Sequence, residues 1–249
     1  MTDGYFWQRT EDERHLSERH VTLHNNLVAS SHGLKTLAEQ RVVKSCAAKL
    51  DSVRTDQGRY KIKLTAAEYA ETFGLDINTA YEQLRAVSES LLERVIHREE
   101  RTHRGIKVHQ DHWVSGVTYF QREAWVELRF SHEATPYLVA LRGNHTTYLL
   151  KQAAGLRSIY SWRLLEMLMR FKDTGWYQVE VEAFSKAIDA KASHTRNFND
   201  LRRWIIEPAI KELKEKDAWH ITWSAIKTGR KVTALRFAFK RDPQIRLEL

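Results

Sequence analysis

The chain has 249 residues and a mass of 29.3 kDa, enough for one large domain or two of ordinary size. Its 42% hydrophobic fraction supplies packed cores, and with only 10 Gly and 3 Pro it excludes collagen-like, linker-rich and disordered classes. The net charge of +8 is concentrated at one end: residues 191–249 hold 14 Lys and Arg against 7 Asp and Glu. Such a field suits a polyanionic partner; the bland alternative is a set of solvated helix faces.

The single Cys46 excludes an intramolecular disulfide and fits a reducing cytoplasm. No apolar run approaches the ~18 residues of a membrane span. The acidic start, MTDGYFWQRTEDERH, lacks the apolar core of a signal peptide, so a cytoplasmic protein without a membrane partner is expected.

In chain order, residues 1–22 are polar and are expected to be flexible. Over residues 34–50 the apolar positions Leu37, Val42, Cys46, Ala47 and Leu50 recur at helical spacing. A turn at Gly58 precedes a short alternating strand at 60–64. Thr65-Ala-Ala-Glu68 is a capping box that opens a helix over 66–73, which Gly74 closes in the left-handed conformation. Asn78 is expected to cap a second helix whose buried stripe is Ala80, Leu84, Val87 and Leu91. Residues 95–99, 114–120 and 125–130 read as strands, with a basic tip at His103-Arg-Gly-Ile-Lys107. A short helix, a Gly turn, a longer helix and a hairpin make a winged helix.

The order then recurs. Residues 160–171 are helical, Gly175 turns into a strand at 176–181, and a short helix follows at 182–190. After a turn at 191–194, Thr195 is expected to cap a long helix reaching about residue 215. A hairpin closes the repeat, with strands at 220–226 and 232–240 around Lys227-Thr-Gly-Arg-Lys231. The expected fold is therefore α+β, two tandem winged-helix domains over 23–145 and 146–249, joined near 143–148.

The helix after Thr195 is the most informative segment. Phe198, Leu201, Ile205 and Ala209 form its packing stripe, while Arg196, Asn197, Asn199, Arg202 and Arg203 lie off it. Arg pairs in bidentate fashion with guanine O6 and N7, and Asn with adenine N6 and N7, so this set suits base reading in a major groove. Asp200 is out of place beside phosphates; it orients an Arg or favours the helix N-terminus. Pro208 must kink the helix or re-aim its second half. Lys227, Arg230 and Lys231 place three cations on a hairpin tip, fit for phosphate or minor-groove contact, although such a tip also serves mere solubility. In the first domain Thr79, Gln83 and Arg85 form a weaker set, because Glu82 and Glu89 reduce the charge of their helix.

Catalytic signals are missing from the sequence. No two Gly have P-loop spacing, and His20/His24 and His109/His112 lack a third ligand or an HExxH frame. No His-hydrophobic-His triplet suits a nicking enzyme, and no nucleophile elbow surrounds a Ser or Cys46. A DNA-binding protein without catalysis, cofactor or metal is expected. A winged-helix pair alone does not separate a replication initiator from a transcriptional regulator with no initiation role.

Several stretches together resemble the replication initiators of iteron-bearing bacterial plasmids. They are Asn26-Leu-Val-Ala-Ser30, Leu34-Lys-Thr-Leu-Ala-Glu-Gln-Arg41, Thr65-Ala-Ala-Glu-Tyr-Ala-Glu-Thr-Phe-Gly-Leu75, Ala80-Tyr-Glu-Gln-Leu84 and Pro136-Tyr-Leu138. The second half adds Gly155-Leu-Arg-Ser-Ile-Tyr-Ser-Trp-Arg-Leu-Leu-Glu166, Trp204-Ile-Ile-Glu-Pro-Ala-Ile-Lys-Glu212 and Lys227-Thr-Gly-Arg-Lys-Val-Thr-Ala-Leu-Arg-Phe237. The resemblance covers about residues 25–240. It implies monomers that bind direct-repeat iterons with both domains on one DNA face. It also implies homodimers, held through the N-terminal domain, that repress their own promoter at an inverted repeat. The host initiator, the replicative helicase and chaperones are the implied partners. By position, Arg196, Asn199, Arg202 and Arg203 fall on the family's base-reading helix, and Arg157, Ser158 and Ser161 at a helix start suited to phosphate.

Overall fold

The computed structural model describes residues 14–50, 60–139 and 143–241. The Gly58 turn lies outside them. The chain enters through a 3-10 turn, Leu16–Glu18, and strand β1 (His20–His24), then a single helical turn, α1 (Asn25–Val28). Leu16 and Val21 are buried. The segment expected to be flexible, 1–22, is thus docked from Leu16 onward, because β1 pairs antiparallel with a strand more than a hundred residues away: β7 (His145–Leu149), with Val21 opposite Tyr148. A domain boundary at 145/146 falls inside β7.

Helix α2 (Leu37–Lys49) opens with a capping box made by Thr36 and Glu39, and is buried from Glu39 to Ala48. It forms the axis of the first half. Cys46 lies on it, and burial pushes its thiol up to about 12, so it is an inert core group. Strand β2 (Lys61–Thr65) leads into α3 (Ala66–Phe73), whose Thr65–Glu68 box forms as the sequence predicts; Gly74 follows at φ 60°. Helix α4 (Ile77–Ser90) is capped by Asp76, not by Asn78. The Asp76 carboxylate accepts from the backbone N–H of Asn78 at 3.1 Å and of Thr79 at 2.9 Å, because the turn after Gly74 brings Asp76 into extended backbone one residue ahead of the helix. Ala80, Leu84, Val87 and Leu91 are buried as the stripe requires.

Strands β3 (Val95–Thr102) and β4 (Gly105–His112) form a long hairpin that turns at His103–Arg104, and β4 is a strand the alternation did not reveal. Strands β5 (Val114–Phe120) and β6 (Trp125–Phe130) form the wing, and β2 adds to β6 to give the order β2-β6-β5. After β7 come α5 (Lys151–Ala154), α6 (Ile159–Met169), β8 (Trp176–Glu180) and α7 (Val181–Ala187). A 3-10 turn, Ala192–His194, leads to α8 (Phe198–Leu201), a π-helical turn over Arg202–Ile206, and α9 (Glu207–Asp217). Strands β9 (Trp219–Thr228) and β10 (Lys231–Arg241) close the chain, in the order β8-β10-β9. In both halves the strand that precedes the helix pair hydrogen-bonds to the last wing strand. The tandem winged-helix reading is carried by this shared pairing. Among the described strands, β3 and β4 have no counterpart in the second copy.

One hydrophobic cluster runs through both halves, from Leu16 to Phe239. At its centre is α6, buried from Ser161 to Met169 although it carries Arg163 and Glu166. These charges are satisfied across the halves. Arg163 pairs with Glu166 and donates to the carbonyls of Val28 at 3.0 Å, Ser30 at 2.8 Å and Ala187 at 2.7 Å. Glu166 also meets Lys44 of α2 at 3.0 Å and accepts from the Tyr148 hydroxyl at 2.8 Å. Lys44, Arg163 and Glu166 are fully buried, and burial brings the Lys44 ammonium down to about 8 despite Glu166. Burial, then the charges of Arg163 and Lys44, hold His32 well below its ordinary value; its Nε2 donates to the Leu27 carbonyl. A second tie is Asp189, just after α7, whose carboxylate accepts from the Ser31 hydroxyl and from the backbone N–H of His32 at 2.8 Å and of Gly33 at 3.3 Å. Gly33 has φ +61°, and a Cβ there would meet the Val95 carbonyl oxygen at 2.2 Å, so glycine alone fits this loop.

Candidate nucleic-acid interface

The C-terminal reading helix starts at Phe198 and is capped by Asn197, not by Thr195. Asn197 Oδ1 accepts from the Asp200 backbone N–H at 2.9 Å, while its Nδ2 donates to the Asp200 carboxylate at 2.9 Å. This reciprocal pair explains Asp200: it completes the cap and orients no Arg. The 3-10 turn at Ala192–His194 uses up the residues an earlier start would need, with the Thr195 N–H bonded to the Ala192 carbonyl. Asn197→Ala is expected to cost about 1 kcal/mol in chemical denaturation, with Asn197→Ser retaining most of it.

Pro208 neither breaks nor ends the helix. It offers no N–H to the Trp204 carbonyl four residues back, and the ladder widens at that point: the Glu207 N–H reaches Arg202, five residues earlier. The helix then runs on as α9 to Asp217. Leu201, Ile205, Ile206, Ala209, Ile210 and Leu213 are buried, whereas Asn199, Arg202, Arg203 and Trp204 are exposed. Phe198 packs on Trp223 of β9 with ring centroids 6.1 Å apart, which fixes the helix start against the wing.

The cations fall into two groups. Arg196, Lys227, Arg230 and Lys231 are exposed and make no ion pair among the described residues. Arg203 is exposed too, with its guanidinium 5.2 Å from the centroid of Trp204. Arg202 is tied sideways, donating to Asn199 Oδ1 at 2.9 Å and lying 3.5 Å from Glu207. The wing turns through Gly229, at φ 63°, and Arg230, which sets Lys231 opposite Thr228 and Lys227 opposite Val232. Unpaired cations on a helix start and an adjoining hairpin tip are arranged to meet a polyanion.

The first-domain set is engaged internally. The Thr79 hydroxyl bonds to Asp76, Gln83 Oε1 accepts from the Tyr69 hydroxyl at 2.7 Å, and Arg85 lies 3.4 Å from Glu89. The expectation at the start of α6 is corrected. Ser161 is fully buried, so it does not reach a phosphate. Ser158 caps the helix by accepting from the N–H groups of Tyr160 at 3.2 Å and Ser161 at 3.4 Å. The Arg157 N–H is bonded to the Glu212 carboxylate at 2.7 Å. A carboxylate already occupies this helix start, and only the Arg157 side chain remains exposed. Among the described residues no group of three His, Cys, Asp or Glu side chains is placed to hold a metal, and no helix is long and apolar enough to cross a membrane.

Two family models match the chain: the initiator replication protein WH1 domain over residues 20–169 and the WH2 domain over 180–239. An uncharacterized 27.6 kDa protein of Escherichia coli is 28% identical over 109 residues, 44% of this chain; the match spans under half, 45%, of that relative. The crystal structure of Pi initiator protein in complex with iteron DNA is similar in fold, with TM-score 0.75 and 21% identity over 92% of this chain and 99% of that one. With both domain models matched across most of its length, the chain belongs to the initiator replication protein family.

Proposed function

We infer that the chain is a sequence-specific, double-stranded DNA-binding plasmid replication initiator, without catalytic activity of its own. The observation that carries this reading is the unpaired cationic surface formed by Arg196, Arg203 and the Lys227–Lys231 tip beside the capped helix. Family membership supports it, as does the iteron DNA held by the structurally similar Pi initiator. The protein binds direct-repeat iterons as a monomer. As a homodimer joined through its first domain it represses its own promoter at an inverted repeat. The distribution of exposed large apolar side chains supports the dimer: among the described residues Ile77, Leu92, Ile106, Val108 and Phe120 lie in the first domain, against Trp176 and Trp204 in the second. The host initiator, the replicative helicase and chaperones act on the protein in the bacterial cytoplasm.

The DNA contacts are tested by salt. If about six to ten phosphates are neutralised, log K against log salt falls with a slope of about −5 to −9 in fluorescence anisotropy. A slope near zero removes the proposal. Genomic context separates initiation from simple regulation, since tandem direct repeats beside the coding region belong to the former.

A further inference from the structure

Trp204 is the largest exposed side chain on the reading helix, 52% exposed, and the base-reading pattern of Arg and Asn leaves it without a task. An indole in water on the helix that carries the interface is unfavourable unless something covers it. Its position is built, not accidental. Trp204 lies inside the π-helical turn, and its carbonyl is the one that Pro208 deprives of a donor. The His194 imidazole stacks on the indole at 6.1 Å and 17°, and His194 in turn meets Tyr160 of α6 edge-on at 6.0 Å. The Arg203 guanidinium lies 5.2 Å from the same indole. The ring is therefore held by His194 of the 3-10 turn and is in contact with a base-reading candidate, Arg203.

We propose that Trp204 is a specificity-determining residue whose indole packs on the C5-methyl edge of thymine in the major groove. The inference rests on the DNA-binding reading above. Three points favour a methyl edge. The indole is exposed on the helix that carries Arg202 and Arg203, with the Arg203 guanidinium against it, so the phosphates that attract these cations bring the groove floor towards the ring. The C5-methyl is the apolar group that the major groove displays. A ring fixed by His194 loses little rotational freedom on contact. A second effect follows: by holding the Arg203 guanidinium, Trp204 sets where that side chain reaches.

The test uses the full chain and duplexes that it selects from a random-sequence pool. Each thymine of the selected site is replaced in turn by deoxyuridine, which removes only the methyl. For the native chain, the substitution at one or two neighbouring positions is expected to weaken binding about four-fold, the loss for one methyl left in water. Trp204→Ala is expected to weaken binding to the parent duplex by at least that factor, to leave random duplex unchanged, and to abolish the response to deoxyuridine. Trp204→Phe keeps a ring and is expected to keep part of the response. Because Trp204 is exposed, its replacement leaves thermal unfolding in place, which circular dichroism checks.

The proposal is overturned if no thymine position responds in the native chain, or if Trp204→Ala retains the same response. It is also overturned if the variant loses affinity only for the separated single strands, which would make the indole a stacking platform for unpaired bases. If the native chain enriches no sequence, the DNA-binding reading fails, and this inference with it. A selected duplex that binds tightly but ignores deoxyuridine sinks the Trp204 assignment alone.

Discussion

Glu166→Gln is expected to lower the unfolding free energy by about 3–5 kcal/mol at neutral pH, the cost of removing one partner from a buried ionic group. Among the described residues Glu166 is the carboxylate within salt-bridge distance of both Lys44 and Arg163, and all three are fully buried. Removing its charge leaves two cations in the interior, whereas Lys44→Met leaves an intact Arg163–Glu166 pair and is expected to cost much less. Although burial opposes it, the charges of Lys44 and Arg163 and the Tyr148 hydroxyl bring the Glu166 carboxyl below its ordinary 4.5. Its contribution is therefore complete above that value and is lost as pH falls through the lower folded one. Lys44 has the opposite sense. Its folded value of about 8 lies below the ordinary 10.5, so between these the unfolded chain binds more protons and stability rises with pH. Without Glu166 the Lys44 ammonium is pushed lower still, so the variant's loss relative to the native chain shrinks as pH rises towards about 8 and changes little beyond it. Urea titrations at pH 6, 7 and 9.5 measure this. Equal losses at all three would show that the Lys44 charge is not the cause and leave the unpaired Arg163, which stays ionised throughout.

Arg203→Ala is expected to cost about 1–3 kcal/mol on the selected duplex and far less on random DNA. Arg203 projects from the π-helical turn, clear of carboxylates within salt-bridge distance among the described residues, and only the Trp204 ring holds it. Lys231→Ala on the wing tip is the comparison: a phosphate contact weakens both duplexes alike and lowers the salt slope by about one. Competition anisotropy on both duplexes decides between them. An equal loss for Arg203→Ala on the two would make it a phosphate contact.

The two ends of α3, the buried stripe of α4 and the wings of this fold were legible because local chemistry determines them. Thr65 and Glu68 satisfy each other within four residues, Gly74 supplies its own φ, and the stripe from Ala80 to Leu91 needs only a helix to bury it. The pairing of β1 with β7 was not legible, since neither five-residue strand carries its partner's address over so long a separation. The caps at Asp76 and Asn197 displaced those expected at Asn78 and Thr195 for one reason. Each true cap sits in extended backbone, which a preceding turn fixes and a residue count does not. At the interface the sequence singled out Arg196, Arg203 and the wing cations. Ser161 was placed at a phosphate-binding helix start by the family resemblance, and a position carried over in this way holds no information on what packs over it. Trp204 fell outside the packing stripe, and that misfit was the available signal. Arg163 and Glu166, spaced three apart on an otherwise apolar helix, look like an ordinary surface pair until the whole of α6 is enclosed.

The joining of the halves through Arg163, Glu166 and Asp189 has a consequence for the length of the target. A guanidinium that bonds to Val28, Ser30 and Ala187 at once leaves no free hinge at that point. In the binding mode that the family resemblance implies, with both domains on one DNA face, domains mounted on such a clasp act as the jaws of a fixed calliper. One added base pair between the segments they grip moves the far segment by about 3.4 Å and turns it by about 34° around the helix axis. A protein with a loose linker would absorb that change; this one must open its ionic centre to follow it, so the spacing within a repeat is under the same constraint as its bases.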